Sequence, residues 1–342
     1  MPDEKSEQQD VSRETSAWNN VDMLDVARVA QKVDERDFIS GTSIKLVAPA
    51  KVNLFLHVKG RRDDGYHLVD TTMHALMLHD VLRMKLEHGE GSPIHLTTRA
   101  FEGLPDLDVP PEKNIVYKAI ERLAKAVGRM LGEGETVRVH IEKHIPAQAG
   151  LGGGSSDAAA ALVGAAKLWG LEKDDPRIEE VAATLGADVP FFLRGGCAEY
   201  DGVGEHFVRA LQPMNSFAVL VKPSGGVSTA ESYRLFDEDP VAVTEQDCET
   251  ARNAATAQDV PLRNNMALAS EQLLPVIADV RTYLSSQEGV QAAMMSGSGA
   301  AVFALCDSFG AASRIAGEAQ ANGWWARTTT FSSIRAAIVP NR

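Results

Sequence analysis

The stretch PAQAGLGGGSSDAAAALVGAAKLW, from Pro146 to Trp169, decides how the chain is read. Gly150, Gly152, Gly153 and Gly154 leave the backbone almost bare just ahead of two serines and an alanine-rich run of helical composition. A glycine cluster by itself is a flexible turn. Placed directly before a helix it is also an anion site, because the first peptide N–H groups lack intrahelical acceptors and the dipole adds about half a positive charge there. Gly152 to Gly154 can adopt φ > 0 and let phosphate oxygens approach the backbone. Ser155 and Ser156 add hydroxyl donors, and Asp157, in the first turn, is expected to serve the dipole or a metal rather than phosphate.

Two familiar phosphate loops can be tested against this stretch. A Walker A loop needs a lysine directly after its last glycine, whereas Gly154 is followed by Ser155 and the next lysine, Lys167, lies about three turns down the helix. A dinucleotide fingerprint counted from Gly150 puts Ser155 where its third glycine belongs, and EKHIPAQ separates the preceding strand from the loop. Neither reading fits, and a nicotinamide-dependent oxidoreductase is disfavoured.

Length and composition set the wider frame. The 342 residues suffice for two ordinary domains, and 44% hydrophobic with 24% charged residues is a globular composition. A net charge of −13 argues against nucleic acid or an anionic membrane as the main partner, while a nest of N–H groups can still hold a small anion. The start, MPDEKSEQQD, lacks both parts of a secretory signal, and no window reaches the length of an uncharged membrane span. Cys197, Cys248 and Cys306 are scattered without metal spacing, which fits free cysteines and a cytoplasmic location.

Residues 1–42 are rich in acidic and polar residues, with Met23, Val26, Ala27, Ala30 and Val33 at helical spacing; a disordered extension or a single docked helix both fit. From Ser43 the pattern is strand-like, and around Lys51 it alternates, with Val52, Leu54 and Leu56 on one face and Lys51, Asn53 and Phe55 on the other. RRDDGYH carries an Asp-Gly turn, KNIVYKAIERLAKAVG a helix, TVRVHIEKHIP a strand and PRIEEVAATLG another helix. A boundary is placed near Leu211, giving domains at 43–210 and 211–342. Beyond it, FAVLVKP reads as a buried strand and Ser228 with Glu231 as a capping box, followed by helices around 265–287, a strand–turn–strand at 290–306, a helix, and WWARTTTF as the last strand. Strands and helices alternate without a regular βα repeat, which favours α+β layers.

Three segments together carry a family resemblance. PAQAGLGGGSSDAA resembles the second motif of the GHMP kinase superfamily, LVAPAKVNLFL its first and MMSGSGAAVFAL its third, in the family's order. The triple APAKVNLFLHVKGRRDDGYH, GLGGGSSDAA and LGADVPFFLRGG is narrower, and is similar to the branch whose acceptor alcohol carries a cytidine diphosphate, in the non-mevalonate route to isoprenoid precursors. The resemblance runs from about Ser43 to the end. It implies a two-domain α+β GHMP kinase fold, with an N-terminal domain like ribosomal protein S5 and a ferredoxin-like C-terminal domain. It further implies an ATP-dependent transfer of phosphate to the acceptor's hydroxyl, with Mg²⁺ carried by the nucleotide and no metal ligands assigned to the protein.

Residue by residue, the resemblance assigns Lys51 and Asp188 to catalysis, Asp188 as general base and Lys51 as its neighbouring cation. Without it, Lys51 is a surface lysine and Asp188 a turn residue before Pro190. It assigns Pro146, Gly150, Leu151, Gly152, Gly153, Gly154, Ser155 and Ser156 to ATP, and sets Asn114, otherwise an ordinary N-cap, beside the adenine. Asn53 and the Ser296, Gly297, Ser298 and Gly299 loop go to the acceptor. Tyr66 and His67 are to read cytosine, His67 by hydrogen bonds and Tyr66 by packing, with Tyr233 stacking on the base's other side. Asn264 and Asn265 depart from the family's usual Asn-Asp-Leu and are left out of the site. Another small-alcohol kinase of the superfamily and a catalytically silent nucleotide-binding relative remain as alternatives; oligomeric state is not legible.

Overall fold

A computed structural model describes residues 43–340 apart from 89–91, 102, 107, 108 and 133. The extension expected at 1–42 therefore lies outside the described residues.

The first layer is an antiparallel sheet built on two long strands, β1 (Ile44–Arg61) and β2 (His67–His88), joined by the Asp-Gly turn. β3 (Ile94–Ala100) and β4 (Glu135–Lys143) extend it in the order β1-β2-β4-β3, with β3 and β4 parallel. Between them runs α1 (Ile115–Ala126), opened by Asn114, whose side chain accepts from Val116 N. The glycine-rich stretch then leads into α2 (Gly153–Leu168). Its alanines 158–161, 165 and 166 are all buried. Small side chains let this helix sink against the sheet, and a Cβ on Gly164 would run into Met84 and Leu46. α3 (Pro176–Leu185) and the short α4 (Val189–Arg194) complete the helical layer, which shares one core with Leu46, Met84, Ile120 and Phe191. β5 (Cys197–Asp201) pairs with the first half of β2, and β6 (His206–Leu211) with β5.

The second layer starts at β7 (Phe217–Lys222), followed by α5 (Thr229–Glu238), α6 (Glu245–Asn253), the two-residue β8 (Arg263–Asn264), which pairs parallel with β1 of the first sheet, α7 (Ala267–Leu273) and α8 (Val276–Ser285). Then come β9 (Val290–Met295), β10 (Val302–Cys306), α9 (Phe309–Ala321) and β11 (Trp325–Thr330). The four longer strands form an antiparallel sheet in the order β11-β7-β10-β9, with α8 and α9 sharing a core with it. Four antiparallel strands packed with helices give the ferredoxin-like arrangement expected of the C-terminal part.

Two readings of the sequence are corrected here. The alternation around Lys51 does not mark one wet face: Leu46 to Leu56 is buried on both sides, because residues of the second sheet such as Leu220, Met294 and Phe303 share a core with Val52, Leu54 and Phe55. Bulges near Pro49–Lys51 and Asn53–Phe55 also break the period of two. Second, WWARTTTF is not the last strand. β12 (Ala337–Val339) returns to the first sheet and pairs antiparallel with Lys45–Val47 of β1, so 211–342 is not one contiguous unit. Three residues with no alternation of their own carry too little pattern to be read as a strand.

Candidate active site

The glycine loop is positioned by its neighbours at both ends. Lys51 N donates to Leu151 O at 3.0 Å, tying it to β1, while Ala300 N and Ala301 N donate to Gln148 O and Ala149 O. Ser296 Oγ donates to Gly150 O at 2.9 Å and accepts from Asn53 N at 3.3 Å. The first and third motifs thus grip the second. Gly150 and Gly152 both have φ of 73°, and a Cβ on Gly150 would collide with the Ser296 carbonyl. Of Gly152–Gly154, which can all adopt φ > 0, only Gly152 does so; Gly153 and Gly154 are already helical. The first helical hydrogen bond runs from Ser156 N to Gly152 O, so the amides of Gly153, Gly154 and Ser155 have no acceptor inside the helix.

The two serines separate. Ser155 lines the cleft, whereas Ser156 is 0% exposed with its hydroxyl facing the interior, so its expected role as a phosphate donor is corrected. Helical spacing puts successive residues about 100° apart, which is why only one of an adjacent pair can face the ligand. Asp157 is also interior. Its Oδ2 accepts from Lys143 Nζ at 2.5 Å, and Lys143 reaches Asp80 as well. Asp80 Oδ1 accepts from His144 N at 2.5 Å and Ile145 N at 2.8 Å, fixing the chain just ahead of Pro146. Asp157 therefore pairs with a lysine and is no candidate for a metal in the cleft. Burial pushes its carboxyl up to about 8, Lys143 pulling the other way and Asp80 adding to the rise. Burial alone would lower Lys143, but the two carboxylates outweigh it and raise it.

Lys51, only 3% exposed, donates to Asn53 Oδ1 at 2.6 Å, and its Nζ lies 3.3 Å from Asp188 Oδ2. Asn53 is held in turn through its amide on Thr71 Oγ1 at 2.8 Å. Asp188 stands at the N-terminus of α4 with a third of its side chain open to the cleft. A buried ammonium needs a partner, and this one has a carboxylate and an amide oxygen.

The cleft between the layers has a volume of about 1240 Å³ and is lined by Lys51, Asn53, Asp188, Tyr66, His67 and Tyr233, together with Gly297, Ser298 and Gly299. A second groove of about 280 Å³ is lined by Ile115 and the backbone from Pro146 to Ser155. Asn114 does not line it; its side chain is spent on the α1 cap, and its neighbour Ile115 stands in the groove instead. Tyr66 is 64% exposed at the cleft mouth. Tyr233 stacks directly on His67, with ring centroids 4.4 Å apart and planes 19° from parallel, and burial, then nearby Asp188, pushes its phenol up to about 12. His67 Nε2 lies 2.6 Å from Asp237 Oδ1.

Three contributors escaped the sequence reading. Asn264 donates to Met295 O and Gly297 O at 2.9 and 2.8 Å, bracing the Ser296–Gly299 loop, and Asn265 pins Val58 through both backbone groups. Thr229 Oγ1 meets Ser298 Oγ at 2.8 Å. An asparagine pair before a helix looks like a turn, and nothing local says that its amides reach across the fold.

Two layers of this topology, meeting over a glycine loop at a helix start and a lysine–aspartate pair, define a small-molecule kinase of the GHMP type. Residues 114–196 match the family described as GHMP kinases N terminal domain, and residues 242–323 match GHMP kinases C terminal. Within that class, the chain belongs to the family of 4-diphosphocytidyl-2-C-methyl-D-erythritol kinases. It is 38% identical to the kinase of that name from Desulfitobacterium hafniense (strain Y51) over 277 residues, spanning 80% of this chain and 90% of the relative. It is 40% identical to the one from Acidovorax ebreus (strain TPSY) over 75% of this chain and 85% of the relative. A solved 4-(cytidine 5'-diphospho)-2C-methyl-D-erythritol kinase superposes with a TM-score of 0.66 at 34% identity, covering 84% of this chain and 99% of that one. Homoserine kinase from Cytophaga hutchinsonii, at 20% identity and a TM-score of 0.62, shares the fold.

Proposed function

We infer that this chain transfers the γ-phosphoryl group of ATP to the 2-hydroxyl of 4-diphosphocytidyl-2-C-methyl-D-erythritol. The observation that carries the reading is the Lys51–Asp188 pair at 3.3 Å in a cleft that Ser155 also lines, with Gly153 and Gly154 lining the groove that shares Ser155. The family's use of ATP and the names of its members supply the two substrates.

Phosphoryl transfer asks a protein mainly for alignment and charge stabilisation. Asp188, exposed to the cleft and an acceptor when ionised, takes the proton of the acceptor hydroxyl as the oxygen attacks phosphorus. Lys51, 3.3 Å from that carboxylate, offsets negative charge developing on the transferred group. Asn53 holds the ammonium in place. The amides of Gly153, Gly154 and Ser155 take phosphate oxygens, with the Ser155 hydroxyl beside them. Mg²⁺ would come with the nucleotide and neutralise its outer phosphates. Ser155 is the hydroxyl of the loop that lines the cleft, whereas Asp157 is committed to Lys143. The groove at Ile115 and Pro146 takes the nucleotide's base, and the Tyr66–His67 end of the cleft takes the cytosine.

No described helix is long and apolar enough to cross a membrane, and the reaction's substrates are small polar anions. Purified protein with ATP and Mg²⁺ should release ADP with the cytidine-diphosphate acceptor and not with methylerythritol phosphate lacking the cytidine. Equal turnover of both, or none with either, refutes this reading in favour of another small-alcohol kinase or a silent nucleotide binder.

A further inference from the structure

His67 is held from two directions by one helix. Tyr233 covers its ring face and Asp237 takes its Nε2; the two residues sit one turn apart on α5 and so present to the same side. Asp237 is itself faced by Arg61, whose guanidinium lies 3.7 Å from the second carboxylate oxygen. Arg61 also donates to Gly65 O at 3.1 Å, which anchors it to the turn that carries Tyr66 and His67.

This arrangement has a consequence for hydrogen-bond polarity. An ionised carboxylate only accepts, so the hydrogen of the neutral imidazole must sit on Nε2, and Nδ1 keeps a lone pair. Among the described residues none bonds Nδ1, and it is not one of the buried polar atoms shut off from solvent. His67 lines the cleft, and with Nε2 taken by Asp237 the ring nitrogen left for a ligand is an acceptor. A pyrimidine that presents an exocyclic amine can donate to it; one that presents a carbonyl at the same position sets lone pair against lone pair.

We propose that Asp237 is the positioning residue that sets base choice: by holding His67 in its Nε2–H tautomer, it makes the subsite accept an amino-pyrimidine and reject an oxo-pyrimidine. This rests on the reading that the His67 end of the cleft receives the acceptor's base. Asp237 also lines the cleft, but its part in base choice is exerted through the imidazole. In its absence the two tautomers interconvert, and the ring can turn either a donor or an acceptor to the ligand.

The test pairs kinetics with spectroscopy. kcat/KM is measured for the cytidine and uridine forms of the diphosphate acceptor with wild type, Asp237→Ala, Asp237→Asn and His67→Gln. Imidazole ¹⁵N shifts are recorded for the same proteins, the His67 signals being those lost in His67→Gln. Asp237→Ala should cut the cytidine-over-uridine ratio about tenfold, the worth of one discriminating hydrogen bond, and should shift the His67 nitrogens toward a tautomer mixture. Asp237→Asn, whose amide oxygen can accept the same bond, should retain most of the ratio and of the wild-type spectrum. If His67→Gln collapses the ratio but Asp237→Ala leaves it and the spectrum unchanged, this proposal falls while the base subsite stands. A ratio lost with an unchanged tautomer also overturns it, since Asp237 would then act by shaping the helix. If His67→Gln leaves the ratio intact, the base subsite itself is wrong and the proposal goes with it.

Discussion

Replacing Asp157 by asparagine should be tolerated where replacing Asp80 is not, although both carboxylates touch the same lysine. Lys143, Asp80 and Asp157 are all nearly excluded from solvent, and one lysine can balance only one carboxylate. Asp80 has more donors: besides Lys143 it accepts two backbone N–H groups. Asp157 Oδ1 has no donor, and burial with Asp80 beside it lifts its carboxyl from 3.8 to about 8. At neutral pH Asp157 is then the neutral acid of the trio. Asparagine copies the neutral acid, with an oxygen for Lys143 and a donor toward Asp80. Asp80→Asn instead breaks the pair that also carries two backbone N–H bonds and leaves Lys143 only Asp157, which has to ionise in a buried site, a loss of up to about 3–5 kcal/mol for a broken buried pair.

The sign of the pH effect follows from the same shift. A carboxyl whose folded value is raised stabilises the fold below its unfolded value and loses that contribution as pH climbs toward the folded one. In wild type the loss runs between about pH 4 and pH 8, at about 1.4 kcal/mol per pH unit while one proton is taken up on folding. Asp157→Asn has no such term. Its stability relative to wild type should therefore rise by roughly 2–3 kcal/mol from pH 5 to pH 7, the other groups being common to both proteins. Urea unfolding followed by circular dichroism at pH 5, 6 and 7 measures the difference. A difference that stays flat with pH, or an Asp157→Asn protein as damaged as Asp80→Asn, would refute the neutral-acid assignment.

Further outcomes test the cleft. Asp188→Asn, which keeps size but cannot take a proton, should lower kcat by roughly 10²–10⁴-fold with little change in acceptor binding, and Lys51→Met by about 10²–10³-fold; near-normal rates in both would remove the pair from the chemistry. Gly154→Val should weaken ATP binding in calorimetry while leaving the unfolding midpoint near wild type, because only Ile115 lies near the added Cβ. Gly153→Val is the poorer probe: its Cβ meets Ile145 at 3.0 Å, so any effect on ATP would be mixed with damage to packing. Asn264→Ala, which removes two hydrogen bonds from the third motif's loop, should raise KM for both substrates, and unchanged values would show that Ser296 alone suffices to hold it.

What the sequence disclosed followed from local pattern. A helix start after glycine, an Asp-Gly turn between strands and caps at Asn114 and Ser228 all depend on neighbours within a few residues, and each could be read directly. Lys51 and Asp188 were legible only as motif members, since nothing in 136 intervening residues says that they meet at 3.3 Å. The burial of both faces of β1 was not legible because it comes from the second sheet, and a strand cannot record what lands on its far side. Ser156 could not be told from Ser155 before the helix phase was fixed. The Asp80–Lys143–Asp157 trio joins three segments whose charges each look, in isolation, like solvated residues.

The pairing of β12 with β1 bears on how the chain is made as well as on its final shape. β1 is made long before β12, whose residues Ala337–Val339 complete its outer edge over Lys45–Val47. Until β12 has been made, that edge presents unpaired N–H and C=O groups on a strongly apolar strand, a template for pairing with other nascent chains. The sheet that carries Lys51 is therefore closed only after the whole second layer has been synthesised. A chaperone or rapid synthesis has to cover that interval, and a truncation that removes Ala337–Val339 would leave the edge permanently open.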